Sequence, residues 1–283
     1  MEIRPGITLA NLSDVGLVRE NNEDYFCYVE PESEEDFAKR GRLAIIADGM
    51  GGYEGGQIAS HMAVDIVREA YLKDPDSDPL DALLEGFRTA HLQILAKARE
   101  NEVLDGMGTT CTAAAILGNN LIYAHVGDSR LYLLRGPEIF QLTRDHSYVN
   151  KMVEAGMLTP EEAEHHPQKN VLMMALGASK EIRADCPAEP MPLQPGDTLL
   201  MCTDGLSGLV SNQEFQEAAN GNPLDQACKQ LIELAKSRGG HDNITVQLIR
   251  VASDNMRKTM IPDEVVVVPE PPPEADAEKD SEA

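Results

Sequence analysis

Apolar and polar positions divide the chain into alternating blocks. TLANLSDVG (residues 8–16), DYFCYVE (24–30) and RLAIIADG (42–49) are short, rich in aliphatic and aromatic residues, and separated by Asn-, Glu- and Pro-containing links. They predict strands. Between the second and third, EPESEEDFAKR (30–40) has no apolar period and predicts a solvated loop. The spacing then changes to four. Ile58/Ala59, Met62/Ala63, Ile66/Val67 and Ala70/Tyr71 mark one face of an amphipathic helix. Leu80, Leu83/Leu84, Phe87, His91, Ile94/Leu95 and Ala98 mark a second, with the breaker DPDSDP between them. His91 falls on the apolar face and reads as a core histidine.

After Gly106 the short runs return: TTCTAAAIL (109–117), NLIYAHVGD (120–128), RLYLLRG (130–136) and EIFQLT (138–143), joined by Gly or Asn turns as in an antiparallel meander. Residues 147–176 read as short helical pieces broken at Pro160 and Pro167. DTLLMCTDG (197–205) is a further strand, helices follow over about 212–237, and NITVQLIRV (243–251) closes the series. Strands, a helix pair, strands, a helix pair and a strand fit an α+β fold. Two antiparallel sheets packed together and flanked by helix pairs suit this order better than a parallel βαβ alternation. The folded unit is expected over residues 1–251, and the Pro- and acid-rich segment 252–283 is expected to be a disordered tail.

Composition narrows the function classes. With 283 residues and 42% hydrophobic content the chain can bury a substantial core. The start MEIRPGITLA lacks a basic segment followed by an apolar one, and no apolar run approaches membrane-spanning length, so neither a leader nor a membrane span is expected. Five scattered cysteines (27, 111, 186, 202 and 228), none in C-x-x-C spacing, predict buried thiols in a reducing cytoplasm. Formal charge is 24 − 48 = −24, which argues against nucleic acid as a partner. The acid surplus fits solubility, and it also fits carboxylates gathered around metal ions.

The glycine-rich stretch after Asp48 invites a nucleotide reading first. Gly51 and Gly56 have P-loop spacing, but Gln57-Ile58 stand where Lys-Ser/Thr is required, and G-x-G-x-x-G is absent. A different pattern runs through the whole chain. Asp48, Asp128 and Asp204 each follow an apolar run, Asp242 precedes one, and Glu23 and Asp24 lead into another. Any one alone reads as a turn former. Strand ends converge in space, so together these acids can meet, and clustered carboxylates require cations. Oxygen donors without Cys or His favour magnesium or manganese.

The segments VRENNEDYF, ADGMGG, GTTCTAAAI, VGDSRLYLL, CTDGL and GGHDNITV, in this order, strongly resemble the metal-dependent Ser/Thr protein phosphatases (PPM, or protein phosphatase 2C-like) in their compact bacterial form. The resemblance spans roughly residues 7–251. It implies an αββα sandwich with a binuclear Mg²⁺/Mn²⁺ centre in a cleft at one end of the sheets. Asp48 would bridge both metals, Gly49 would lend its carbonyl, and Asp204 and Asp242 would complete the ligands. Asp128 with Asp204 would serve a third, weaker metal. Glu23 and Asp24 would hold metal-bound waters, and Arg19 would take the substrate phosphate. The implied reaction is direct in-line hydrolysis of phosphoserine or phosphothreonine by a bridging hydroxide. The absence of a C-x₅-R motif agrees with a route lacking a phosphoenzyme.

Met50 stands where animal members carry His and bacterial members generally carry Met, and Tyr53 stands where many bacterial members carry His, which leaves a metal-bound water, His146 or His166 to protonate the leaving group. The resemblance implies that residues 147–176 form a flap beside the cleft, while the residues alone read equally as an ordinary surface helical hairpin. His125 is expected to pack in its strand, Arg130 to position neighbouring carboxylates, and His241 to be a loop residue. The implied partners are phosphoproteins, including a Hanks-type kinase, met by a cytoplasmic monomer. Two alternatives are the related phosphatases of anti-sigma-factor antagonists and a pseudophosphatase binding module. Retention of Asp48, Asp204 and Asp242 speaks against the latter.

Overall fold

The computed structural model describes residues 3–51 and 54–252. The expectations for Tyr53 and for the tail beyond Ala252 lie outside the described residues. In chain order the strands and helices are β1 (Ile7–Asp14), β2 (Asp24–Val29), α1 (Glu34–Arg40), β3 (Arg42–Met50), α2 (Gly55–Lys73) and α3 (Pro79–Glu100). The meander follows as β4 (Gly108–Thr109), β5 (Cys111–Leu117), β6 (Asn120–Val126), β7 (Arg130–Arg135) and β8 (Glu138–Gln141). Then come α4 (Tyr148–Glu154), α5 (Pro160–Glu164), β9 (Met191–Pro192) and β10 (Thr198–Cys202). The last are α6 (Asp204–Ser207), α7 (Asn212–Gly221), α8 (Leu224–Ser237) and β11 (Ile244–Val251).

Among the described residues these strands form two antiparallel sheets, ordered β1-β11-β10-β7-β8 and β2-β3-β5-β6-β9, with β4 paired to β3. Strand β3 shows why its sequence is continuously apolar. Leu43, Ile45 and Ala47 face α2 and α3, packing with Ala63, Val67, Phe87 and Ile94. Ala44 and Ile46 point the other way, into the seam between the sheets, against Leu131, Leu133, Leu199, Met201 and Ile249. A strand covered on both faces has no polar side to alternate with. The second sheet repeats the device: Leu200, Cys202, Val246 and Leu248 face Phe215, Ala219, Leu231 and Ala235 of α7 and α8. The αββα sandwich read from the sequence is the fold observed.

The breaker DPDSDP starts α3: Asp78 accepts from the backbone N–H groups of Leu80 and Asp81, and Pro79 takes the first helical position. His91 is buried, with Nδ1 accepting from the Gly177 N–H, as a core histidine should be. Pro160 begins α5 rather than breaking a helix, behind a capping box built by Thr159 and Glu162.

Two expectations need correction. Residues 34–40 are helical, not a solvated loop. Ser33 caps the helix, acids fill its first turn, and Lys39 and Arg40 fill its last, the order favoured by the helix dipole. Arg40 is fully buried, bonding the Asp74 carbonyl and the Ser77 hydroxyl and lying over the Tyr71 ring. One buried arginine leaves no period in a sequence, so the docking was invisible there. The thiols also differ: Cys111, Cys202 and Cys228 are buried, Cys27 is partly so, and Cys186 is exposed. No helix among the described residues is long and apolar enough to cross a membrane.

Candidate metal centre

Strand register gathers the aspartates. Asp24 opens β2 directly opposite Asp48 on β3. In the other sheet Cys202, the last residue of β10, pairs with Val246 near the start of β11. Asp204, just after β10, and Asp242, just before β11, therefore emerge at the same end. Asp128 lies in the β6–β7 link, which crosses from one sheet to the other. Asp48 feels Asp24, Asp204, Asp128 and Asp242 as neighbouring like charges. All five expected aspartates are thus brought together.

Small polar residues fix this end of the sandwich. The Asp48 N–H donates to Thr110 Oγ1 (2.9 Å), while Asp48 O accepts from the Thr110 N–H (2.9 Å) and Thr109 Oγ1 (2.8 Å). Thr110 Oγ1 also meets Ser129 Oγ at 2.7 Å, tying the Asp48 strand to the Asp128 loop. The glycines have a packing reason. A Cβ on Gly49 would lie 2.1 Å from the Gly56 carbonyl oxygen, and one on Gly56 would lie 2.5 Å from Glu23 Oε1. The start of α2 can press against β3 and Glu23 only without side chains there.

Electrostatics single out the same groups. Asp24 is buried, and its Oδ2 accepts from Thr203 Oγ1 (2.9 Å) and Thr245 Oγ1 (2.6 Å). Loss of water nevertheless pushes its pKa up to about 7, opposed by those hydroxyls and aided by Asp204 and Asp242. Asp48 and Asp128 are held well above the usual carboxylate range by desolvation first and neighbouring acids second. Asp204 is raised by desolvation and Asp242. Asp24 Oδ1 and Asp204 Oδ1 are buried without a protein partner. Glu23 is raised by desolvation, against the pull of Arg19 3.6 Å away. Arg19 is half exposed, with Nη2 3.0 Å from Asp242 Oδ2.

Partnerless buried carboxylate oxygens among mutually repelling acids fit a site for divalent cations, and these oxygen donors suit magnesium or manganese. Among the described residues no three His, Cys, Asp or Glu side chains close into a ligand cage; Asp128, Asp204 and Asp242 line a cleft instead. The cleft holds about 650 Å³ and runs from Asp128, Asp204 and Asp242 to Val153 and Lys169 of the segment 147–176.

The other candidates sort clearly. His125 is buried and bonded through both ring nitrogens, and burial pushes its pKa down to about 4. His146 accepts from the Gly127 N–H at Nδ1 (3.2 Å), and its Nε2 lies 3.2 Å from Asp185, so neither nitrogen is free for acid catalysis. His166 Nδ1 accepts from the Gln168 N–H. Arg130 does orient a carboxylate, but it is Asp145, held through both Nε and Nη2. Asp145 had no motif to mark it.

Asn243 was also missed. Its Oδ1 accepts from the Glu23 N–H (2.8 Å), and its Nδ2 donates to the carbonyls of Val15 (3.0 Å) and Asn21 (2.9 Å). One buried amide thus clamps the loop that carries Arg19. Its position beside Asp242 in GGHDN was the only available signal. Asn243→Ala should lower stability by about 1–2 kcal/mol by removing its three part-buried bonds to the backbone, read from the urea midpoint. An unchanged midpoint would contradict the clamp.

Comparisons with known proteins give the family and the fold. A family model described as "Protein phosphatase 2C" matches residues 20–249. Protein phosphatase PhpP of Streptococcus pneumoniae is 41% identical over 252 residues, covering 86% of this chain and 97% of that protein. The solved serine/threonine phosphatase PstP/Ppp of Mycobacterium tuberculosis is 37% identical with a TM-score of 0.77, covering 87% of this chain and 99% of its own. The catalytic domain of PstP solved in complex with two manganese ions gives a TM-score of 0.75 at 36% identity, over 88% of this chain and 99% of its own. Matched along most of its length in both sequence and fold, the chain belongs to the protein phosphatase 2C family.

Proposed function

We propose that the chain is a metal-dependent phosphoprotein phosphatase that hydrolyses phosphoserine and phosphothreonine. The observation that carries this is the group of desolvated aspartates at one end of the sandwich, two of them with buried, unpartnered oxygens. Asp48, Asp204 and Asp242, with the Gly49 carbonyl, would hold two Mn²⁺ or Mg²⁺ ions, and Asp128 with Asp204 a third. The manganese-bound PstP structure supports that choice of ion. When bound, such ions supply an activated water at neutral pH and shield the phosphate charge.

The chain's own groups do the rest. Asp24 is locked by Thr203 and Thr245 with one oxygen left for water, and Glu23 is held beside it through Asn243. Arg19, half exposed and paired with Asp242 and Glu23, carries the guanidinium fork that would bind phosphate oxygens in pairs. Met50 offers no proton, so protonation of the leaving alkoxide falls to water at the centre.

Hydrolysis of p-nitrophenyl phosphate with Mn²⁺ and with EDTA tests the reading; no metal-dependent turnover sinks it. Arg19→Ala should raise KM for a phosphopeptide about tenfold or more, the scale of a lost charge-assisted bond, with a smaller effect on kcat. A fixed KM with a fallen kcat would move Arg19 to a transition-state role. The reading extends to a folded unit over 1–251, to phosphoprotein partners that include a Hanks-type kinase, and to a monomer working in the cytoplasm.

A further inference from the structure

Among the described residues the most exposed large apolar side chains are Val18 (67%), Met157 (65%) and Leu17 (61%). Single exposed apolar residues are ordinary. Leu17 and Val18 differ because they are adjacent and immediately precede Arg19. Their loop is also anchored. The Leu17 N–H donates to the Gly240 carbonyl at 2.7 Å, and Asn243 holds Val15 on one side and Asn21 on the other. Asp14 bonds the Gly16 N–H and pairs with Lys236 at 3.1 Å. The pair is therefore presented to solvent by a fixed backbone, and a partner docking there finds the backbone already ordered.

The surroundings say what would cover it. Gly240 belongs to the stretch whose Arg238, His241 and Asp242 line the cleft, so the loop that carries the pair packs directly beside the cleft lining. An extended peptide advances about 3.3 Å per residue, so a peptide whose phosphate sits at Arg19 and whose chain follows the loop would set its neighbouring residue against Val18 and Leu17. Glu20 is exposed next to them, and the chain's charge of −24 disfavours an acidic neighbour.

We propose that Leu17 and Val18 form the contact that reads the side chain next to the phosphoresidue, so that the chain favours phosphoproteins with an apolar residue there. This rests on the phosphatase reading of Arg19. The test uses two fluorescently labelled phosphothreonine peptides that differ only beside the phosphothreonine, leucine in one and serine in the other. Wild type and the Leu17→Ser/Val18→Ser double variant are compared, with p-nitrophenyl phosphate as a substrate that has no flanking residue. Wild-type kcat/KM should favour the leucine peptide about tenfold, the scale of a small apolar contact.

In the double variant that preference should fall to about twofold or less, and the loss on the leucine peptide should exceed the loss on p-nitrophenyl phosphate about fivefold. Equal use of both peptides by the wild type overturns the proposal, as does a preference that survives in the variant. So does self-association of the wild type in sedimentation that the variant abolishes while keeping its preference; the surface then belongs to a second copy. Fluorescence anisotropy of the same peptides carries the comparison without turnover. An inactive wild type therefore refutes the phosphatase reading, while indiscriminate binding refutes this contact.

Discussion

Asp48→Asn should cut metal-dependent turnover of p-nitrophenyl phosphate by about two to three orders of magnitude or more, the scale on which losing a central charge-stabilising group acts. The substitution changes charge with little change of shape. The backbone bonds from Thr109 and Thr110 hold the Asp48 peptide, not its side chain, and survive the exchange. What disappears is the carboxylate that stands opposite Asp24 and feels all four other aspartates. The variant should then show opposite effects with and without metal. In EDTA it should melt higher than wild type, because one repelling charge is gone. With Mn²⁺ it should lose most of the stabilisation that wild type gains, a gain of about 2.7 kcal/mol at a hundredfold excess over Kd. Wild-type turnover, or an undiminished Mn²⁺ response in calorimetry, would refute the assignment.

Without metal, the wild-type chain should become more stable as pH falls from about 8.5 to 6.5. The sign follows from the raised aspartates. Asp24 titrates near 7 in the folded chain, and Asp48, Asp128 and Asp204 are raised as well, whereas in the unfolded chain all four ionise far lower. The folded state holds extra protons across this window, so its advantage is present at low pH and is lost as pH rises through the folded pKa. Each pH unit with one extra proton held is worth about 1.4 kcal/mol, or roughly 2 to 4 °C of Tm at this size. Below about 6.5 the slope should lessen by one proton, because the unfolded chain protonates His125 while burial keeps its folded pKa near 4. Glu214, held near 2 by Arg238, stays charged throughout. Saturating Mn²⁺ should reverse the slope, because cations compete with protons for the same oxygens. A flat metal-free profile in scanning calorimetry would contradict the electrostatic picture.

Much of this was legible in the sequence, for physical reasons that differ by residue. Strand β3 announced itself because both its faces are covered, and the helix pair α2 and α3 because four-residue spacing survives in any amphipathic helix. The aspartates stood out because each ends or precedes an apolar run, where a turn former and a ligand look alike one at a time but not together. Thr110, Thr203, Thr245 and Asn243 escaped because their work is bonding to backbone or to another side chain far along the chain. Small polar residues near turns carry no mark of a distant partner. Arg40 escaped for the opposite reason: its charge argued for solvent, while Tyr71, Asp74 and Ser77 give it a place inside.

The crossing of the β6–β7 link divides the centre between two sheets, with Asp24 and Asp48 on one and Asp204 and Asp242 on the other. A cation shared by the two sets acts as a removable cross-link over chain segments more than 150 residues apart. The far end of the seam is held by aliphatic contacts, among them Ile7, Ile116 and Val251, and by Arg42 donating to the carbonyls of Arg4 and Pro5, none of which a chelator removes. Chelation should therefore unfasten the sandwich from one end, and amide exchange should quicken first around Asp24, Thr110 and Asn243 while the interior of β3 and β11 stays protected.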